Sequence, residues 1–319
     1  MKPFLLVCML ALAAGGVRSA DAPPAPGAPV PAASSAIATQ ATMLAAAWAG
    51  PRAVAVGDRG IVLLSDDRGA SWRQARSVPV SYALTAVAFV DAKQGWAVGH
   101  GGTVLATADG GETWQLQRSA PQEDRPLFAV HFSDAKHGVA VGLWSLVIVT
   151  EDGGRTWAEQ TLEPAPGAKK ADLNLLALFA DAQGTLYAAG ERGQVLRSTD
   201  KGLHWSYLPT GYKGSLWAGA VLSDGALLVG GQRGTLLRSD DAGRSWQPVT
   251  LASRSSVTAI AAAPGAVTVV GLDGLLARSG DGRQFSLAVQ PDGVALTAAL
   301  PASGAPLLFS RRGVVPLVR

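Results

Sequence analysis

The sequence predicts an all-β protein, a seven-bladed β-propeller of four-stranded antiparallel blades, and three observations carry that prediction. The pattern S/T-x-D-x-G-x-x-W, a hairpin known as the Asp box, recurs at Ser65–Trp72, Thr107–Trp114, Thr150–Trp157, Ser198–Trp205 and Ser239–Trp246. Its aspartates are Asp67, Asp109, Asp152, Asp200 and Asp241, with a degenerate sixth at Asp281, and they stand 42, 43, 48, 41 and 40 residues apart. A period of about 40 residues suits one four-stranded blade. The third observation is a Gly-containing turn before the third strand of each repeat, at residues 57–60, 99–102, 142–145, 190–193, 231–234 and 271–274. A worn copy at Ser310–Gly313 brings the count to seven.

In chain order, residues 1–19 read as a signal peptide: Lys2, an apolar run over Phe4–Ala14, then small residues before a cut after Ser19. The run is short for a membrane-spanning helix, so an uncleaved anchor is the lesser alternative. Cys8, the only cysteine, would leave with the signal, and stability would rest on packing without disulfides. Residues 20–33 form a Pro/Ala-rich linker containing Pro23, Pro24, Pro26, Pro29 and Pro31. Residues 34–319 make up the propeller.

The second blade shows the unit clearly. Leu84–Val90 reads as an apolar first strand, Gly95–Gly99 as a second, Thr103–Thr107 as a third and Thr113–Gln117 as the outer one. Gly/Asp-rich turns punctuate them. The last repeat runs from its turn into Val314–Val318 with no outer strand following. Ser34–Thr39 is expected to supply that strand, closing the ring and covering two sheet edges.

Within each box, the Asp carboxylate is suited to accept N–H groups of its own turn, and the Gly two positions on permits positive φ. Five of the nine tryptophans hold the last position: Trp72, Trp114, Trp157, Trp205 and Trp246. Their repetition points to a structural role, with a repeated catalytic or metal site as the remote alternative. Trp96 is expected between blades, and Trp144 and Trp217, outside the boxes, are candidate exposed stacking residues.

A net charge of +3 on 319 residues falls short of a nucleic-acid groove. Four histidines without zinc-motif spacing predict no metal site, and the glycine turns join strands instead of opening a phosphate-binding helix. No cofactor or nucleic-acid partner is expected.

The cadence G-x-x-G-x-[VL]-L-x-[ST]-x-D-x-G-x-x-W, as in Gly99–Trp114 and Gly231–Trp246, resembles that of photosystem II stability/assembly factors. Asp boxes also occur in sialidases, sortilin-type receptors and large glucanases. The resemblance covers roughly residues 34–319 and implies an exported, non-enzymatic assembly platform for a membrane-protein complex. That complex would be photosystem II in a photosynthetic source, and otherwise another envelope complex such as a transporter. The location would be periplasmic or thylakoid-lumenal, and the protein a monomer.

Propeller topology puts the Gly-containing turns and the blade-to-blade connections on one face. Arg59, Arg192, Arg233 and Arg312 hold equivalent slots there, matching the arginine-rich patch that the resemblance implies. Gly101 and Trp144-Ser145 depart from it in blades two and three. Connections add Arg118, Arg125, Lys169, Lys170, Lys213 and Arg254, partly offset by Asp58, Glu123, Asp124, Glu163, Asp172 and Glu191. The enlarged connection at 163–172 makes Lys169 and Lys170 candidate partner contacts. The opposite face, with its Asp boxes and Asp91, Asp134, Asp181 and Asp224, reads as acidic. Arginine suits carboxylate capture because its planar donors pair bidentately; the alternative is that these arginines only solubilise turns.

The rival readings are a carbohydrate-binding propeller and a sialidase-like glycosidase. The Arg-Ile-Pro segment of sialidases is absent, and none of the four tyrosines forms the expected pair with a late Glu. Other glycosidases need two carboxylates across a cleft, which spacing alone does not identify here. No catalytic residue is assigned.

Overall fold

The structure, a computed structural model, describes residues 29–302 and 304–316. The signal peptide and most of the linker lie outside the described residues. Seven antiparallel sheets follow one another, with first strands starting at Met43, Leu84, Leu127, Leu175, Leu216, Val257 and Leu296. Six have four strands and the seventh has three. Among the described residues no helix is long and apolar enough to cross a membrane.

Packing is organised by blade interface. Seven apolar clusters occupy the seven gaps between neighbouring blades, the last joining blade seven to blade one. Second strands such as Gly95–Gly99 and Gly138–Gly142 are buried along their length because both faces meet neighbouring blades. Each box tryptophan reaches back into the gap with the preceding blade. Trp72 meets Phe309 of blade seven edge-on at 5.5 Å, and Trp157 meets Phe132 in the gap between blades two and three. Trp96 stacks on Phe132 at 3.5 Å, between blades as expected.

Every first strand carries a bulge at its second residue: Leu44, Thr85, Phe128, Leu176, Trp217, Thr258 and Thr297. All seven are half-buried. Three of them stitch blades together, since the hydroxyls of Thr85, Thr258 and Thr297 donate to the Leu127, Leu296 and Met43 carbonyls of the following blade. Trp217 therefore belongs to this inner ring and is not an exposed stacking residue. The bulge brings the chain close to the end of the second strand. A Cβ on Gly57 would lie 2.0 Å from the Thr42 carbonyl oxygen, so space, not φ, demands glycine there.

The expected closing strand does not form. Residues 34–37 are irregular, and Ala38–Gln40 make a single 3₁₀ turn beside Gly313. The third strand of blade seven is only Gly313–Val314, and Pro316 beyond it has no N–H to offer a partner. The entering segment bonds to blade one instead: Ala32 N–H donates to Val78, and Gln74 exchanges hydrogen bonds with Ser35 N–H and the Ala33 carbonyl. The seam is held by side chains, with Trp48 Nε1 donating to the Pro301 carbonyl and Thr42 Oγ1 to that of Arg311.

Candidate partner-binding face

The Asp boxes consume their own polar groups. In the first, Ser65 Oγ and Ser71 N–H each donate to Asp67 Oδ1 at 2.8 Å, while Gly69 N–H donates to Ser65 Oγ. The pattern repeats around Asp109, Asp152, Asp200 and Asp241. Asp281 accepts from Ser279 Oγ and Arg283 N–H in a hairpin one residue shorter, with Phe285 replacing tryptophan in the gap to blade five. These donors hold the carboxylates below their usual range. Asp67 and Asp241 lie at about 2, chiefly through the Ser71 and Ser245 hydroxyls, and Asp152 at about 2 through Thr156 N–H. At Asp109 burial pushes upward, but the bonds from Thr113 and Thr107 prevail and the pKa is lowered.

The expected acidity of this face is largely absorbed by structure. Asp91, Asp134, Asp181 and Asp224 each accept backbone N–H groups of their own turns. Arginines that the sequence reading left aside neutralise more. Arg52 pairs with Asp66 at 2.6 Å and Glu112 at 3.0 Å, and Arg283 pairs with Asp240. Arg238, 3% exposed, bonds Asp224, Asp240 and the Asp281 carbonyl. A cleft of ~640 Å³ on this side, lined by Trp48, Pro51, Arg68, Pro264 and Pro301 among others, holds no carboxylate. A second, of ~500 Å³, includes Asp181 and Asp224. At Asp224 burial favours the neutral acid, but Ala226 N–H and Arg238 outweigh it and keep the pKa low, the reverse of what a proton donor needs.

The opposite face differs. Arg59, Arg192, Arg233 and Arg312 all lie exposed at the tips of their turns. Arg59, Arg192 and Arg233 have φ of 56°, 56° and 58°, the left-handed region that side chains rarely enter. Among the described residues, Arg59 and Arg233 make no ion pair. Arg192 meets Asp172 at 3.1 Å and Arg312 meets Asp292 at 3.6 Å, all with exposed side chains. Such surface pairs contribute little. Arg118 and Arg125 are spoken for: Arg118 binds the Gly102 carbonyl and Glu123, and Arg125 binds Glu123 and Glu159. Lys169 and Lys170 are exposed on the enlarged connection, whose root is pinned by Leu162, Ala165 and Leu173 in the core between blades three and four.

In blade three the equivalent tip is Trp144, 57% exposed with φ of 53°. The next blade's turn, carrying Glu191 and Arg192, is tied to it through Asn174. Trp144 N–H donates to Asn174 Oδ1 at 3.0 Å, and Asn174 N–H and Nδ2 donate to the two oxygens of Glu191.

A family model described as photosynthesis system II assembly factor YCF48 matches residues 64–129 and 117–215. No curated protein matches. Among solved structures, YCF48 bound to D1 peptide superposes with a TM-score of 0.71 at 20% identity, over 86% of this chain and 92% of that one. YCF48 from Cyanidioschyzon merolae gives 0.69 at 17%, over 86% and 95%. Virginiamycin B lyase from Staphylococcus aureus gives 0.72 at 9%, over 88% and 96%. At these identities the superpositions speak for the fold alone, and that fold carries an enzyme as well as binding proteins. The Asp-box cadence and the matched repeats add what the fold cannot: over residues 64–215 the chain is similar to the photosystem II assembly factor family of Asp-box propellers.

Proposed function

We propose that this propeller is a non-enzymatic, exported binding platform that holds a segment of a membrane-protein complex against its arginine-bearing face. The observation that carries the reading is that Arg59, Arg192 and Arg233 stand exposed at equivalent left-handed turn tips and Arg312 on the shorter turn of blade seven, with only exposed ion pairs engaging Arg192 and Arg312. A similar propeller bound to D1 peptide supports a peptide segment as the ligand class. A toroid packed between all its blades is preorganised, so little ordering cost opposes binding. Guanidinium groups would receive carboxylates of the segment bidentately, with Lys169 and Lys170 adding charge from the side. The signal-like start supports a periplasmic location, or a thylakoid-lumenal one in a photosynthetic source.

The test is crosslinking in cells with the native protein and with a variant carrying Arg59→Glu, Arg192→Glu, Arg233→Glu and Arg312→Glu. A membrane complex recovered with the native protein and lost with the variant is the expected result. Equal recovery by both would remove the arginines from the mechanism.

A further inference from the structure

We infer that Trp144 and Arg192 form a composite subsite that reads an apolar side chain lying beside a carboxylate on the bound segment. The inference deepens the platform reading and rests on it. Trp144 is the only aromatic side chain among the large apolar residues left exposed in the described structure. Burying its ring face against a partner would remove a large apolar area from water, which is why tryptophan recurs as an interface anchor. Its backbone is left-handed, where four other blades place arginine or aspartate and blade two places Gly101. Nothing in the blade's own packing uses the ring, since the core between blades three and four is filled without it.

The backbone that carries the ring is also tied to the neighbouring charged turn. Asn174 binds Trp144 N–H on one side and the Glu191 carboxylate on the other, and Ser145 N–H donates to the Leu173 carbonyl at 2.6 Å. Glu191 immediately precedes Arg192, so a short hydrogen-bonded path fixes the two tips as neighbours. Lys169 and Lys170 stand on the connection that ends at Asp172, the partner of Arg192. Cationic groups flanking one exposed indole complement an acidic segment with an aromatic or aliphatic residue next to the acid. A purely acidic segment would leave the indole in water. A tryptophan at this one tip thus makes the face directional: the apolar residue of the ligand must lie over blade three and its carboxylate over blade four.

The experiment is selection from a displayed library of random ten-residue peptides on the immobilised full chain, native and Trp144→Gly, followed by fluorescence anisotropy on the selected peptides. Glycine already fills this slot in blade two, so the variant keeps the turn. The native chain should enrich acidic peptides with an adjacent apolar residue. Trp144→Gly should keep the acidic preference, lose the apolar one, and bind the selected peptides about tenfold or more weakly, as loss of a tryptophan anchor does. Acidic peptides without an apolar preference, or a preference that survives Trp144→Gly, would overturn the subsite while leaving the platform intact. Absence of any acidic preference would overturn both.

Discussion

The two faces of the ring are built from turns of opposite character. On the Asp-box face, a carboxylate is placed and at once satisfied: Asp67 takes hydrogen bonds from Ser65, from Ser71 N–H and from the Ser71 hydroxyl. On the other face, Arg59 sits in a strained conformation with its guanidinium facing solvent. The contrast teaches that charge on a repeat protein's surface carries no functional meaning until its local partners are counted. By sequence the repetition of the boxes points to structure, and the turn arginines stand as candidates for binding. By structure the boxes are fasteners, and the turns hold the groups left available.

Acid should expose the difference most strongly. In the unfolded chain these aspartates take up protons near their ordinary pKa of about 4. In the fold Asp67, Asp152 and Asp241 stay ionised down to about 2. The stabilisation is therefore complete above about pH 4 and drains away as pH falls towards 2. Circular dichroism melts from pH 6 to 2 should show a steep fall in Tm over that window, shallower in Asp67→Asn. A flat profile would mean that the boxes are not fasteners.

The next effect is in the gaps between blades. Trp114 is 4% exposed and its Nε1 donates to the Gly111 carbonyl at 2.9 Å. Trp114→Ala should cost about 3–5 kcal/mol in denaturant unfolding. Trp157 has a buried Nε1 with no partner among the described residues. Trp157→Phe should then cost less than Trp114→Phe by roughly 1 kcal/mol, the worth of one hydrogen bond. Equal costs would show that the indole N–H groups are interchangeable between blades.

The smallest effect has the opposite sign. Arg59→Gly removes a side chain from left-handed backbone, a relief of roughly 1–2 kcal/mol partly cancelled by the extra freedom of glycine in the unfolded chain. Stability should be unchanged or up to ~1 kcal/mol higher, while peptide binding weakens. A loss of more than about 1 kcal/mol would place Arg59 among the residues that hold the fold.

Much of this was legible in the sequence, and the limits follow from range. In blade two the predicted inner strands at Leu84, Gly95 and Thr103 agree with Leu84–Phe89, Gly95–Gly99 and Thr103–Thr107, because turn residues a few positions apart fix their ends. The outer strand is Gln115–Arg118, later than predicted, since the Thr113 N–H and hydroxyl are used by Asp109. The missing closing strand depended on pairing across the whole length of the chain, where no local signal reaches. Ion pairing was equally opaque: Arg52 and Glu112 are 60 residues apart and meet only because blades one and two pack together. The left-handed tip of the turn did leave a trace, since Gly101 fills the slot held by Arg59 and Trp144 elsewhere.

The unfinished seventh blade bears on how copies of this protein behave towards each other. An open sheet edge is the usual template on which identical chains join strand to strand and grow into fibres. Here the third strand of the incomplete blade lasts two residues before Pro316, too brief a template for another copy to extend. Among the described residues, that edge of the seventh blade therefore offers little for strand-to-strand growth.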